Sequence, residues 1–239
     1  MTVSVVSHGH GSDIFRLLED MALLTANEVA KVIITLNVPE ELLIGTIHSK
    51  PWPFVVEVIS NATPLGFGSN HNQAFIHCET SFFCVVNPDV RIRHNPFPAL
   101  LDALRPHCAG CAYPMQSVGG DMPHDLAREI PTPGALIRRY LVPGYSRKAQ
   151  PRDWINGAFM LFPSNIYAQI NGFDSKFFMY CEDVDICLRL RKNGLKLMPT
   201  PNACIDHCGR HASRRNLRHF LWHFLSLIRL WNLKRLNTY

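Results

Sequence analysis

Three carboxylates fall within four residues at Glu182-Asp183-Val184-Asp185, directly behind the aromatic run Phe177-Phe178-Met179-Tyr180. Like charges this close repel, so a fold that keeps them together must supply a cation, a metal or a hydroxyl-bearing substrate. Acids in a first helical turn usually face solvent. The aromatic lead-in instead puts these acids at the mouth of an apolar pocket, where one of them could take a proton from an attacking hydroxyl. Asn87-Pro88-Asp89 is the second chemical feature. It is also an ordinary turn sequence, but a carboxylate on a tight turn at a strand end is well placed to hold a divalent cation with substrate phosphates. His207 follows a strand pattern near 203–205 and is either structural or part of that set. A metal-bound diphosphate as leaving group and a carboxylate base are the two parts an inverting sugar transfer needs, with no covalent intermediate.

The acids open a short helix. Arg189, Arg191 and Lys192 lie near its end, and Asn193-Gly194 caps it, an arrangement aligned with the helix dipole. Asp185 reads as a scaffold acid with Arg189 as its nearest counter-charge. Upstream, apolar strand patterns cover 2–7, 30–36, 54–59, 82–86 and 108–113. Helical periodicity covers 13–24 (Ile14, Leu17, Leu18, Met21 and Leu24 on one face), 70–77 and 99–104. This alternation predicts an α/β fold with a mostly parallel central sheet flanked by helices, its strands covered on both faces. Ligands of such sheets sit at the carboxyl ends of strands, which singles out Ser7, His8, Asn37, Asn61 and Asp89. Residues 114–152 are broken by prolines and carry a basic cluster at Arg138, Arg139, Arg147, Lys148 and Arg152. A strand pattern resumes over 153–162 and contains Trp154-Ile155-Asn156-Gly157-Ala158. Short strands follow near 196–198 and 203–205.

Of the 239 residues 47% are hydrophobic, enough for one large core or two small ones. The net charge of +5 is uneven: seven Lys or Arg and no acid lie between His207 and Tyr239, leaving 17 basic against 19 acidic residues elsewhere. The basic surplus confined to the tail argues against a nucleic-acid partner and for a tail that meets something anionic. The first residues read as a strand rather than a signal peptide, and no apolar run is long enough to span a bilayer. The tail predicts an amphipathic helix over 216–233. Leu217, Phe220, Leu221, Phe224, Leu225, Leu227, Ile228 and Trp231 lie on one face; Arg218, His219, His223, Ser226 and Arg229 lie opposite. That helix suits an anionic membrane surface or packs on the domain, and both readings stay open. Eight cysteines are expected to stay reduced. Cys108 and Cys111 with Cys204, Cys208, His207 and His211 leave a zinc site as a lesser alternative.

These stretches together resemble the family 2 inverting glycosyltransferases of the GT-A fold, and among them the bacterial rhamnosyltransferases of polysaccharide assembly. The matching segments are Val5-Val6-Ser7-His8-Gly9-His10, Gly66-Phe67-Gly68-Ser69-Asn70-His71-Asn72, Asn87-Pro88-Asp89, Trp154 through Met160, and Asn171 through Arg189. They run in the family's order. The resemblance implies a catalytic domain over 1–213 and a separate helix over 214–239. It implies Asp183 as general base with Glu182 in support, and Asp89 and His207 around a divalent cation, Mg2+ or Mn2+. Ser7, His8, Asn37, Asn61, Asn72, Asn87, Asp89, Trp154, Asn156, Gly157 and Arg189 would contact the nucleotide sugar. The implied donor is dTDP-L-rhamnose, and the acceptor a sugar such as N-acetylglucosamine on a polyprenyl diphosphate. The implied place is the cytoplasmic face of the inner membrane, in O-antigen-type synthesis. Leu36 stands where many relatives carry an acid that contacts the nucleoside. That departure keeps open a non-catalytic nucleotide- or carbohydrate-binding relative.

Overall fold

Alternation along the strands sorts side chains between two cores. The computed structural model describes residues 1–118, 121–125, 127–135, 153–207 and 217–235. In chain order the elements are β1 (Thr2–Ser7), α1 (Ser12–Leu24), β2 (Lys31–Leu36), α2 (Glu41–His48), β3 (Val55–Ser60), α3 (Phe67–Phe75), β4 (Phe82–Val86), β5 (Val90–Arg91), α4 (Phe97–Ala103), β6 (Ala109–Ser117), β7 (Phe159–Pro163), α5 (Ser164–Gln169), α6 (Glu182–Lys192), β8 (Lys196–His207) and α7 (Leu217–Arg235). Val3, Val5, Val32, Ile34, Cys84 and Val86 face a core closed by Ile14, Leu17, Leu18 and Met21 of α1 and Phe97 and Leu100 of α4. Ile33, Phe83 and Val85 face the opposite core, closed by Ala74, Tyr167, Phe173, Ile186 and Leu190. Helices on both faces explain why these strands read as unbroken apolar runs.

The sheet order is β3-β2-β1-β4-β7-β6-β8-β5. Strands β3, β2, β1 and β4 pair in parallel, as do β6 and β8; β7 runs antiparallel to β4 and β6, and β5 to β8. Chain order reverses direction at β1 and β4, so the ligand crevice opens at their carboxyl ends. Ser7 and the Asn87–Asp89 turn both lie there.

Several local expectations differ from the structure. Helix α2 was not anticipated after Pro39; it forms because Leu43 and Ile47, four residues apart, are both buried. The predicted strand over 153–162 pairs regularly only from Phe159, because Asn156-Gly157 bends the chain, and Trp154 makes an isolated bridge to Arg128. The two short strands near 196–205 are one strand, β8; its register against β6 jumps between Thr200 and Cys204, which absorbs Pro201. The same register sets Cys204 opposite Met115, four residues along β6 from Cys111, and Cys111 is wholly buried. That spacing is about 13 Å, too far for a shared zinc. Cys208 and His211 lie outside the described residues, as does the basic cluster from Arg138 to Arg152.

Helix α7 docks on the domain with its polar side inward. Leu227 and Leu230 join a small core with Phe177, Cys181, Val184 and Leu188. The remaining anchors are polar: Ser226 Oγ donates to Met179 O at 2.9 Å, Arg229 pairs with Asp174 at 2.6 Å, and Trp231 Nε1 donates to Pro131 O at 2.7 Å. Leu217, Phe220, Leu221, Phe224, Leu225 and Ile228 face outward and are exposed. A helix held only by the hydrophobic effect would bury that stripe.

Candidate functional site

Three sequence motifs converge on the turn before α6. Tyr180 (φ 70°) and Cys181 (φ 65°) both adopt left-handed backbone, each at a cost of about 1–3 kcal/mol that persists only where the surroundings fix it. Here the N–H of Phe67 donates to Phe178 O at 3.0 Å, and that of Asp185 to Cys181 O at 2.9 Å. A Cβ on Gly66 would lie 2.6 Å from Phe178 O, and one on Gly68 2.5 Å from the Phe173 Cβ. These two glycines therefore let α3 touch the acid turn directly. The Gly66-Phe67-Gly68 motif is a contact, not a phosphate loop.

The turn delivers the acids in two states. Glu182 and Asp185 are buried, Asp183 only partly. Burial pushes the Glu182 carboxyl well above its usual range, and the charges of Asp183 and Asp185 push it further. Among the described residues its Oε2 has no hydrogen-bond partner. Burial also raises the Asp183 carboxyl, to about 6, against the pull of the Val184 and Gly157 N–H groups and the charge of Arg128. Those amides lie 2.8 Å and 3.3 Å from its two oxygens. An acid that is ionised at neutral pH yet close to titrating suits a general base. Asp185 is a scaffold residue: Arg189 holds it at 2.8 Å and also donates to the carbonyls of Ile170 and Gly172.

The second centre is tied to the first through backbone. The N–H of Asn87 donates to Ala158 O at 2.8 Å, one residue past the Gly157 that binds Asp183. His207 Nε2 lies 3.2 Å from Asp89 Oδ1 and 3.4 Å from Asn87 Nδ2. Burial raises the Asp89 carboxyl, but the hydrogen bond and charge of His207 outweigh it and hold the group below its usual value. Among the described residues no three His, Cys, Asp or Glu side chains gather at one point. The fit is to a cation that takes few protein ligands and fills its shell with phosphate oxygens and water. Asp89 and His207 would be the protein ligands of such a cation, in place of the contact they make with each other.

At the ends of β1 to β3 lies an amide network. Asn37 Oδ1 accepts from Leu65 N–H at 2.8 Å and from Asn61 at 2.9 Å, while its Nδ2 donates to Leu65 O; Asn61 also donates to Asn70 Oδ1 at 2.7 Å. His8 Nδ1 lies 3.3 Å from Asn37 Nδ2. Sequence reasoning missed Glu40. Its carboxylate accepts from Ser7 Oγ and from the N–H groups of Gly9 and Gly11, which fixes the loop after β1. The only available signal was an acid placed just before an unexpected helix. Arg128 was missed too: it stacks over Trp154 at 5.6 Å and bears on the Asp183 charge.

Ser7, His8, Asn37, Asn61, Asn87, Asp89 and His207 thus lie at strand ends, and the Trp154–Gly157 segment meets Asp183 through the Gly157 amide. Trp154 Nε1 donates to Glu129 O at 2.8 Å, and Asn156 lines a small cavity with Tyr113 and Gln116. Two expected nucleotide-sugar ligands fall elsewhere. Arg189 is consumed by Asp185 and the 170–172 carbonyls. Asn72 holds the turn before the acids: it bonds the N–H and carbonyl of Phe173 at 2.9 and 2.7 Å and the Tyr167 hydroxyl at 2.8 Å. Asn72→Ala should leave these groups unpaired in a buried place, costing ~3 kcal/mol or more. Thermal denaturation should then show a midpoint lower by about 6–12 °C; an unshifted midpoint would refute the scaffold role.

No family model matches the chain. It is 27% identical to the rhamnosyltransferase WbbL of Escherichia coli K12, covering 98% of this chain and 93% of that protein. It is 26% identical to the N-acetylglucosaminyl-diphospho-decaprenol L-rhamnosyltransferase of Mycobacterium tuberculosis, covering 90% and 78%. Among solved structures, GalNAc-T7 with UDP, GalNAc and Mn2+ superposes with a TM-score of 0.69 at 15% identity, over 86% of this chain and 43% of that longer one. The chain has the fold of the GT-A glycosyltransferases, and its curated relatives support glycosyltransferase activity.

Proposed function

We propose that this chain, a GT-A-fold protein similar along its length to bacterial rhamnosyltransferases, transfers L-rhamnose with inversion from dTDP-L-rhamnose to a hydroxyl of a sugar carried on a polyprenyl diphosphate. The observation that carries the reading is the linked pair of centres, Asp183 on the Gly157 amide and Asp89–His207 on Asn87, joined through Gly157-Ala158.

Asp183 accepts the proton of the attacking hydroxyl as that oxygen bonds to the anomeric carbon. The bond from that carbon to the diphosphate breaks in the same displacement, and the electron pair leaves with the diphosphate. Gly157 and Val184 hold the Asp183 oxygens, and buried Glu182 keeps water from its inner side. Asp89 and His207 would hold a divalent cation, which when bound neutralises the charge on the departing diphosphate. Ser7, His8 and the amide network border the nucleoside end. Full-length protein mixed with dTDP-L-rhamnose, Mn2+ and a lipid-linked N-acetylglucosamine acceptor should release dTDP. No release with any lipid-linked saccharide would overturn the reading.

The outward stripe of α7 supports a membrane surface as the place of work. No described helix is long and apolar enough to cross a membrane, whereas the stripe and the acid-free basic tail suit the plane of an anionic bilayer. Vesicles containing anionic lipid should sediment the protein, and F220S/F224S should lower the bound fraction about tenfold or more, given about 0.8 kcal/mol per buried CH2. Equal sedimentation of both proteins would remove the stripe from the account.

A further inference from the structure

The amides of residues 8–11, the loop that leaves β1, are all taken. His8 N–H donates to His10 Nδ1 at 2.9 Å, Gly9 N–H to Glu40 Oε1 at 3.0 Å, His10 N–H to Ser7 Oγ at 3.2 Å, and Gly11 N–H to Glu40 Oε2 at 2.9 Å. The Ser7 hydroxyl donates to the same carboxylate. Gly9 (φ 76°) and Gly11 (φ 37°) have left-handed backbone, and a Cβ on either would meet nothing within 4 Å. They are glycines for conformation, not for space, and they turn two N–H groups onto one side chain. Converging N–H groups of this kind form a nest for an anion, and here Glu40 fills it. Glu40 is the N-cap residue of α2, yet its side chain makes no capping bond to that helix. Beside the nest, Asn37 N–H donates to Ser7 O at 2.8 Å. Because Asn37 Oδ1 accepts from Leu65 and Asn61, its Nδ2 is the donor toward His8 Nδ1. A neutral His8 ring then carries its proton on Nε2, and His8 is exposed.

We propose that Glu40 is a positioning residue for the donor nucleotide, holding the β1 loop in shape by contacts that need no ligand. The inference rests on the transferase reading and adds the residue that sets the nucleotide's seat. The carboxylate already in the nest repels a second anion. The diphosphate therefore lies toward Asp89 and His207, and the nucleoside end meets His8 and the amide network. Glu40 touches neither; it acts through the loop. A carboxylate suits the place because its two oxygens accept all three hydrogen bonds. In E40Q the single oxygen can keep Ser7 and Gly9, but an NH2 group then faces the Gly11 N–H, donor against donor.

Calorimetry with dTDP on the full chain reads the effect directly. E40Q should bind dTDP about tenfold or more weakly than wild type, the loss of a hydrogen bond to a charged group. The further affinity gained from Mn2+ should be the same in both proteins, because Asp89 and His207 keep their own contact. In turnover, KM for dTDP-L-rhamnose should rise by the same factor. At saturating donor, kcat and the KM for the lipid-linked acceptor should stay within about twofold, the pattern of lost binding rather than lost chemistry. Unchanged dTDP affinity, or a fall in kcat at unchanged KM, would overturn the role. Hydrogen exchange tests the wild type alone, whatever the folding of the variant. The amides of Gly9 and Gly11 should be protected without nucleotide, and exchange at the rate of an open loop would also overturn the role. If E40Q weakens dTDP binding but no acceptor turns over, Glu40 keeps its role and the transferase reading falls. If dTDP is released in turnover and E40Q binds it as wild type does, the transferase reading stands and Glu40 falls.

Discussion

Asp183→Asn should lower kcat by about 10²–10⁴-fold, the range for loss of a positioned general base, while leaving KM for the donor nearly unchanged. Asparagine can keep its one oxygen on the Val184 amide and gives up only the longer bond from Gly157, so the turn should hold. It also removes a carboxylate that is ionised at neutral pH against a burial penalty, so the variant should melt no lower than wild type at pH 7. The pH profile gives a second reading. The base works deprotonated and its carboxyl is raised to about 6, so wild-type kcat/KM should fall tenfold per unit as pH drops below that value. The residual rate of the asparagine variant should lack this limb. Full activity in Asp183→Asn, or an acid limb retained in it, would move the base elsewhere.

Asp89→Asn should cost on the order of 10²–10³ in kcat/KM, since cation stabilisation of a leaving group contributes several kcal/mol. Asparagine can still meet His207, so the fold should survive. Calorimetry reads the site apart from turnover: dTDP should bind wild type more tightly with Mn2+ than without, and Asp89→Asn should bind equally under both conditions. If both proteins gain the same affinity from Mn2+, the cation is held by other groups.

The sheet was legible because its strands are buried on both faces and so appear as apolar runs bounded by turn residues. β1, β2 and β4 are each found within one residue of their expected limits. Helix α2 and the length of β8 were not legible: the first is short and set by two buried side chains, and the second carries prolines that a register jump accommodates. At the candidate site the structure sets Asp183 and Glu182 on one turn and Asp89 beside His207, a placement legible in the sequence because carboxylates and imidazoles advertise their chemistry. Asn72 and Arg189 were not legible, because a polar side chain facing backbone that is remote in sequence looks there like one facing a ligand. Glu40 and Arg128 act through loops whose course depends on tertiary contacts, so nothing local marked them. The tail helix was recognised as amphipathic, but which face meets the domain followed from Asp174, Met179 and Pro131, all remote in sequence.

Gly66 and Gly68 have a mechanical consequence. With no Cβ to separate them, α3 and the acid turn are in backbone and ring contact at Phe178 and Phe173, and the Phe67–Phe178 hydrogen bond stitches the two together. On the proposed function, the wall beside the nucleotide and the wall beside the acceptor are one stiff block. Any opening that admits substrate has to be absorbed by segments outside it, and the spacing between the two substrates is set by the fold before either arrives.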